Sequence, residues 1–370
     1  MAKRNQRKNA TTRDDIIQNS TIEDTATQSV ASFAMRDDVE TIVLADVEDK
    51  ETKEKEPKIE KRKKPKKVYK KSTFKHKMKV IGCLAALGVF TGSGLGVWYF
   101  NTALKSNVDY ASLNPSDYYG NVDDVFNDLQ IIDKTNWVEE AKAKGLKPDD
   151  ASLSAADNIL LCEYNATQNR PWEIVGTGKV LSLGIAQTVY SEKKFDGDIY
   201  SFVSISAGMI TVASCDVLDK NGNVTIYNGK DPHESGATWV DPSTISSDEF
   251  KEFSGVMPNA VSPYIISEKT IDTATEVVYD SESNLYSFTV TLKPVESVLL
   301  YYKQVRRSGG LEADPEFHSI EIKFNINENW DFVSTEITES YKAVKFGMPV
   351  TCDGTLLTTY SFDGEVTLPV

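Results

Sequence analysis

The chain has 370 residues, 40% hydrophobic and 26% charged, which excludes a wholly disordered chain and a collagen-like one. Its net charge of −14 argues against nucleic acid as the main ligand. Three histidines and four cysteines are too few for a His/Cys metal cluster or a dense disulfide scaffold, and no cofactor motif is present.

The charge is split along the chain. Residues 1–79 hold 21 Lys/Arg and 14 Asp/Glu, a net of +7, and the remainder carries −21. Residues 1–57 are polar, with Thr41 to Ala45 as a short apolar run, and read as a disordered cytoplasmic tail. Thr11, Thr12, Thr21, Thr25, Thr27 and Thr41 have acidic neighbours, as kinase targets do. Lys58 to Lys79 carries 12 Lys/Arg and one acid, Glu60, so anionic lipid headgroups are the partner expected there.

Val80 to Phe100 is uncharged over 21 residues, and as a helix spans about 31 Å, close to a hydrocarbon core of about 30 Å. The basic flank keeps the N-terminus cytoplasmic and places residues 101–370 outside a bacterial plasma membrane. Lys75, Lys77 and Lys79 would mark the inner interface, and Trp98 and Tyr99 the outer one. Gly88, Gly92 and Gly96 recur every four residues and offer a face for homodimeric helix pairing. Val80-Ile81-Gly82-Cys83 has a lipobox pattern, but it opens the apolar stretch, where a lipobox closes one, so Cys83 reads as embedded in the membrane.

Residues 101–118 read as a linker and 119–370 as an extracytoplasmic α+β domain. Three helices are expected first. Val122 to Ile132 places Val125, Phe126, Leu129 and Ile132 on one face. Asn136 to Lys144 ends at Gly145. Ser154 and Asp157 form a capping box that opens Ala155 to Thr167, with Ile159, Leu160 and Tyr164 inward. Beyond Pro171 the composition turns to β-formers. Strands are expected at Ile199–Ile205, Met209–Leu218, Val224–Tyr227, Glu276–Tyr279 and Leu285–Lys293. Four more are expected at His318–Ile326, Trp330–Thr338, Tyr341–Phe346 and Thr355–Phe362. Asn221-Gly222 marks a hairpin turn. Strict alternation over Ser319–Ile326 predicts one dry face and one wet face. Asp231 to Ser262 reads as a long loop with a short helix near Ser247–Phe253. Eight to eleven strands make a sheet large enough to curl under a helical lid.

This order of elements, with the closing meander from Asn325 through Trp330 and Phe332 to Val350, resembles the LolA/LppX type of bacterial lipid and lipoprotein carrier. The resemblance implies a half-barrel with an apolar pocket over about residues 120–368 and no catalytic residues. A transmembrane helix departs from that family's soluble or lipid-anchored forms.

Enzymatic readings lack parts. Pro349-Val350-Thr351-Cys352 is similar to a sortase segment, but no arginine follows Cys352. Ser254 to Pro258 is similar to a signal-peptidase box, but Val256 stands where the nucleophilic serine would be. Asp219 to Asn223 reads as a turn rather than a calcium loop. Asp149, Asp150, Asp314 and Glu316 read as solvated acids. Cys162, Cys215 and Cys352 read as buried thiols. The sequence therefore predicts a membrane-anchored binding protein without catalytic, cofactor or metal residues. It holds a lipid or lipoprotein acyl chain in the curved sheet, or acts as an envelope protein-interaction scaffold; a hydrolase without a known motif is the third reading.

Overall fold

The computed structural model describes residues 106–370, except 169, 183, 209–210, 231–237, 346, 363–366 and 370. The expectations for the tail, the basic run, Lys75, Lys77 and Lys79, the 80–100 helix with Gly88, Gly92 and Gly96, and Trp98 and Tyr99 lie outside the described residues. Among the described residues no helix is long and apolar enough to cross a membrane.

Twelve antiparallel strands form one curved sheet in the order β6-β5-β4-β3-β2-β1-β12-β11-β10-β9-β7, with β8 also on β9. The first meander runs outward: β1 Trp172–Ser182, β2 Ile185–Phe195, β3 Tyr200–Ala207, β4 Val212–Leu218, β5 Asn223–Lys230 and β6 Thr238–Ser246. The second runs inward: β7 Ile271–Ala274, β8 Val278–Asp280, β9 Leu285–Leu292, β10 Glu316–Ile326, β11 Phe332–Lys345 and β12 Met348–Ser361. The two meanders meet where β1 pairs β12, from Glu173 opposite Ser361 to Ser182 opposite Cys352. The helices are α1 Val122–Asp128, α2 Trp137–Ala143, α3 Ala155–Ala166, α4 Ser247–Ser254 and α5 Tyr301–Gly309.

Local chemistry sets the helix ends. Asn121 caps α1, and Gln130 at φ 56° turns the chain after it. That turn buries Ile131 and leaves Ile132 89% exposed, so the face expected to run through Ile132 stops at Leu129. Gly145 follows α2 at φ 78°. Ser154 and Asp157 exchange both capping-box bonds at the start of α3. Next to the cap, Asn158 donates to the Pro148 and Ser154 carbonyls, each at 3.0 Å. Its Oδ1 accepts from Trp330 Nε1 at 2.8 Å. Trp330 is fully buried and packs at 5.2 Å on Trp137, so one asparagine ties α3 to the turn between β10 and β11.

The alternation in β10 is as expected: Ile320, Ile322, Phe324 and Ile326 are buried, while Ser319, Glu321 and Lys323 face water. Several readings need correction. The sheet has one strand more than the upper expectation. Trp330–Thr338 and Tyr341–Phe346 are one strand, β11, because Glu339 and Ser340 continue the ladder opposite Ile320 and Ser319. The expected loop after Asp231 contains β6, an edge strand carrying Asp241 at φ 53° and then Pro242, a pair that weakens any strand pattern. Helix α5 was not foreseen, since Tyr301 to Gly309 is polar on most of its circumference. The stretch read as a linker packs against the domain: Tyr110 is buried, stacks on Tyr302 at 4.2 Å and donates to the Pro315 carbonyl. The thiols of Cys162, Cys215 and Cys352 are free and buried, as expected.

The seam is closely packed at two glycines. Gly176 and Gly178 lie on the inward face of β1 beside Val180. A Cβ at Gly178 would sit 2.0 Å from the Thr355 carbonyl oxygen and 2.9 Å from Leu356 Cα. Only glycine allows β12 to approach that closely. We therefore expect Gly178→Ala to cost about 2 kcal/mol or more in urea denaturation, as overpacking against backbone does. Thr177→Ala, on the outer face, should stay within about 0.5 kcal/mol. Equal midpoints for the two variants would show that the seam tolerates a side chain.

Candidate cavity beneath the lid

The inward faces of β1, β2, β3, β11 and β12 form a concave floor. Helix α5 and the strap Gly255–Ile265 lie over it. Tyr301, Val305 and Ser308 recur at helical spacing and put one face of α5 on the floor. A cavity of about 100 Å³ remains between them. Its walls are mainly apolar, with Val180, Val189, Ile337 and Leu356 below and Val305 above.

The one carboxyl among the described lining residues is Glu339, which is 8% exposed; Gln187, Ser204 and Ser206 add neutral polar groups on the floor. Its register opposite Gly354 leaves room for the carboxyl on the floor. Tyr264 from the strap donates to its Oε2 at 2.8 Å, and Tyr301 from α5 to its Oε1 at 3.3 Å. Burial raises the Glu339 pKa to about 7, against the opposing effect of the two phenol donors. Burial also pushes both phenols well above their ordinary value, so they remain donors. The carboxyl is thus poised between its neutral and charged forms near neutral pH.

The lid is fastened by polar contacts. Arg307 of α5 makes a fork to Asp216 of β4, at 2.6 and 2.7 Å, and donates to Ser254 Oγ at 3.1 Å. Its guanidinium also lies 5.5 Å from the Phe250 ring and 5.1 Å from that of Phe253 on α4. Asp216 is fully buried, and burial raises its pKa in spite of the arginine. Lys345 Nζ donates to the Gly309 carbonyl at the C-terminal end of α5. On the strap, Lys193 Nζ donates to the Ala260 carbonyl at 2.7 Å and lies 5.2 Å from the Phe202 ring. Burial lowers the Lys193 pKa to about 7. Gly255, at φ 77°, brings the strap within contact of the Leu300 carbonyl, where a Cβ would sit at 2.1 Å.

The motifs weighed for catalysis are placed elsewhere or occupied. Cys352 is buried beside Tyr341, and burial raises its thiol pKa, which makes it a poor nucleophile. Ser254 is held by Arg307. Asp219 accepts the Asn221 and Asn223 amides of its own turn. Asp314 pairs with Arg306, and Glu316 accepts from Asn107. Among the described residues no group of three His, Cys, Asp or Glu is placed to hold a metal. Glu339, Lys193 and Arg307 were not singled out from the sequence. A single strand over 332–345 would have shown Thr335, Ile337, Glu339, Tyr341 and Ala343 on one face, with the acid as its exception.

Neither a family model nor a curated protein matches the sequence. Among solved structures, a DUF1329 family protein from Desulfovibrio piger is similar over 57% of this chain and 93% of its own, at 8% identity and TM-score 0.20. MucB in complex with MucA(peri) is similar over 56% and 94%, at 7% identity and TM-score 0.11. Likeness at that level leaves the resemblance to a carrier-type fold a distant one and carries no argument about activity.

The buried carboxyl predicts a pH signature. The folded protein holds the Glu339 proton up to about pH 7, whereas an unfolded glutamate loses it near pH 4.3. Between those values the folded state binds more protons, so stability falls as pH rises. The full cost is about 4 kcal/mol from a shift of this size. Glu339→Gln should raise Tm at pH 7.5 and leave it nearly unchanged at pH 4.5. A variant that lowers Tm equally at both values would show that the carboxylate is instead stabilised where it lies.

Proposed function

We propose that this chain is a membrane-anchored, extracytoplasmic binding protein whose lid cavity takes part of an apolar ligand such as a lipid or lipoprotein acyl chain. The observation that carries this reading is a mainly apolar space between sheet and lid with one hydrogen-bonded carboxyl, Glu339, at its wall. Apolar walls with few convergent polar groups are the ordinary make-up of a small-molecule site. The closed volume of about 100 Å³ is below the roughly 300–1,000 Å³ usual for such sites, so a whole acyl chain requires α5 and the strap to move away from the floor.

In this reading the N-terminal tail is cytoplasmic and residues 80–100 span the plasma membrane. The basic run lies on anionic headgroups, and Gly88, Gly92 and Gly96 allow two copies to pair. A second reading, an envelope protein-interaction module, is favoured by Leu181, Ile185 and Met348. These residues are 47%, 38% and 38% exposed and border the β1–β2 and β11–β12 hairpin turns at one end of the sheet.

Native mass spectrometry of the full-length chain, with lipid extraction, tests the first reading. The expected result is a stoichiometric lipid adduct whose occupancy falls severalfold in Val189→Trp, a variant that fills the cavity. A clean apo mass after incubation with membrane lipids overturns it and leaves the interaction reading.

A further inference from the structure

A second cavity lies beside the first, and Pro263 and Tyr264 line both. Its volume is about 300 Å³, at the small end of ligand sites. Its walls are Tyr119, Glu163 of α3, Thr167 just after that helix, Lys251 of α4, and the strap Gly255–Ile265. Glu163 is partly buried and has no hydrogen-bond or ion-pair partner among the described residues. Lys251 is exposed at the rim, also without an ion pair among the described residues.

A carboxyl-bearing and an ammonium-bearing residue, neither paired among the described residues, thus line the same small space. A bare cation would satisfy Glu163 but be repelled by Lys251, and a bare anion would meet the reverse. A molecule carrying both charges satisfies both residues. The free carboxylate lone pairs call for N–H donors, which a primary ammonium has and a quaternary one lacks. We infer that this cavity binds a small zwitterion, with a primary ammonium on Glu163 and an anionic group toward Lys251. The ethanolamine phosphodiester is the chemistry that fits, either free or as a lipid headgroup. The lipid source rests on the function proposed above, because it would place the acyl chain in the adjoining cavity; the zwitterion site itself does not.

Binding is coupled to a proton. Burial raises the Glu163 pKa to about 8, so the empty site is mostly protonated at pH 7. The ammonium binds the carboxylate, and the carboxyl proton passes to solvent. The groups facing Glu163 are Tyr119, Cys162 on its own helix, Tyr360 on β12 and Lys251 across the cavity. Burial raises the two phenols and the thiol, Tyr360 to about 12, so these three do not titrate between pH 6 and 8.

Isothermal titration of the full-length chain with glycerophosphoethanolamine tests the site, because this diester has no titration of its own between pH 6 and 8. Saturable binding is expected, with affinity rising about tenfold from pH 6 to 7 and protons released in buffers of different ionisation heat. Glycerophosphocholine should bind at least about tenfold more weakly, having lost the charge-assisted bonds. Glu163→Gln, which has the shape of the neutral acid and should keep Tm, should weaken binding about tenfold and flatten the pH profile. Lys251→Ala should weaken the diester but leave ethanolamine unaffected.

Dihexanoyl phosphatidylethanolamine separates the sources. Tighter binding of the lipid than of the free diester assigns the site to a lipid headgroup, and equal binding assigns it to the free diester. Diester binding in a chain that carries no lipid would leave the zwitterion site standing without the carrier reading. No saturable binding of either probe, or full affinity in a folded Glu163→Gln variant, overturns the inference.

Discussion

The fork between Arg307 and Asp216 is the contact on which the lid depends. It joins a helix from the second meander to β4 of the first, 91 residues away in sequence. Both partners lie mostly out of water, so neither charge is tolerable without the other. The aromatic rings of Phe250 and Phe253 complete the setting on the α4 side. The position this fork gives α5 sets the roof of the first cavity. Tyr301 reaches Glu339 from the helix and Tyr264 reaches it from the strap, while Gln187 lies two strands beyond Gly354 in the same cross-strand row.

The same region concentrates ionisable groups whose burial is incompletely compensated. Lys193 holds the strap by one carbonyl, Glu339 is satisfied by two phenols, and Glu163 lines the second cavity with no partner among the described residues. A sheet filled for stability alone would place apolar side chains at these positions. Their placement around one strap, with pKa values moved toward neutrality, separates this part of the sheet from β9 and β10, whose inward positions are Tyr286, Phe288, Val290, Ile320, Ile322 and Phe324.

Much of the architecture was legible in the sequence because it is local. The Ser154–Asp157 box, Gly145 after α2, the Asn221-Gly222 turn and the alternation of β10 each depend on residues within a few positions. The site was not legible, because it depends on register. Glu339 falls between the expected strands Trp330–Thr338 and Tyr341–Phe346, a division that puts it in a turn. Lys193 sits in a charged run of β2, Ser191-Glu192-Lys193-Lys194, in which only pairing with Ile174 and Phe202 tells the inward lysine from the outward one. Helix α5 has few apolar residues because its polar side chains grip the sheet. The seam between β1 and β12 joins residues 170 or more positions apart, and Gly178 gives no sign in sequence that β12 runs against it.

The central claim is that α5 and the strap form one lid, held by Arg307 and separable from the sheet. Hydrogen exchange of the full-length chain measures this most directly, comparing the native sequence with Arg307→Ala and with Arg307→Met/Asp216→Leu. The account predicts that Arg307→Ala loses protection over 255–265 and 296–309 while β9 to β12 keep theirs, and that the apolar pair restores it. Uniform loss across the sheet, or unchanged protection of the lid in Arg307→Ala, would contradict it.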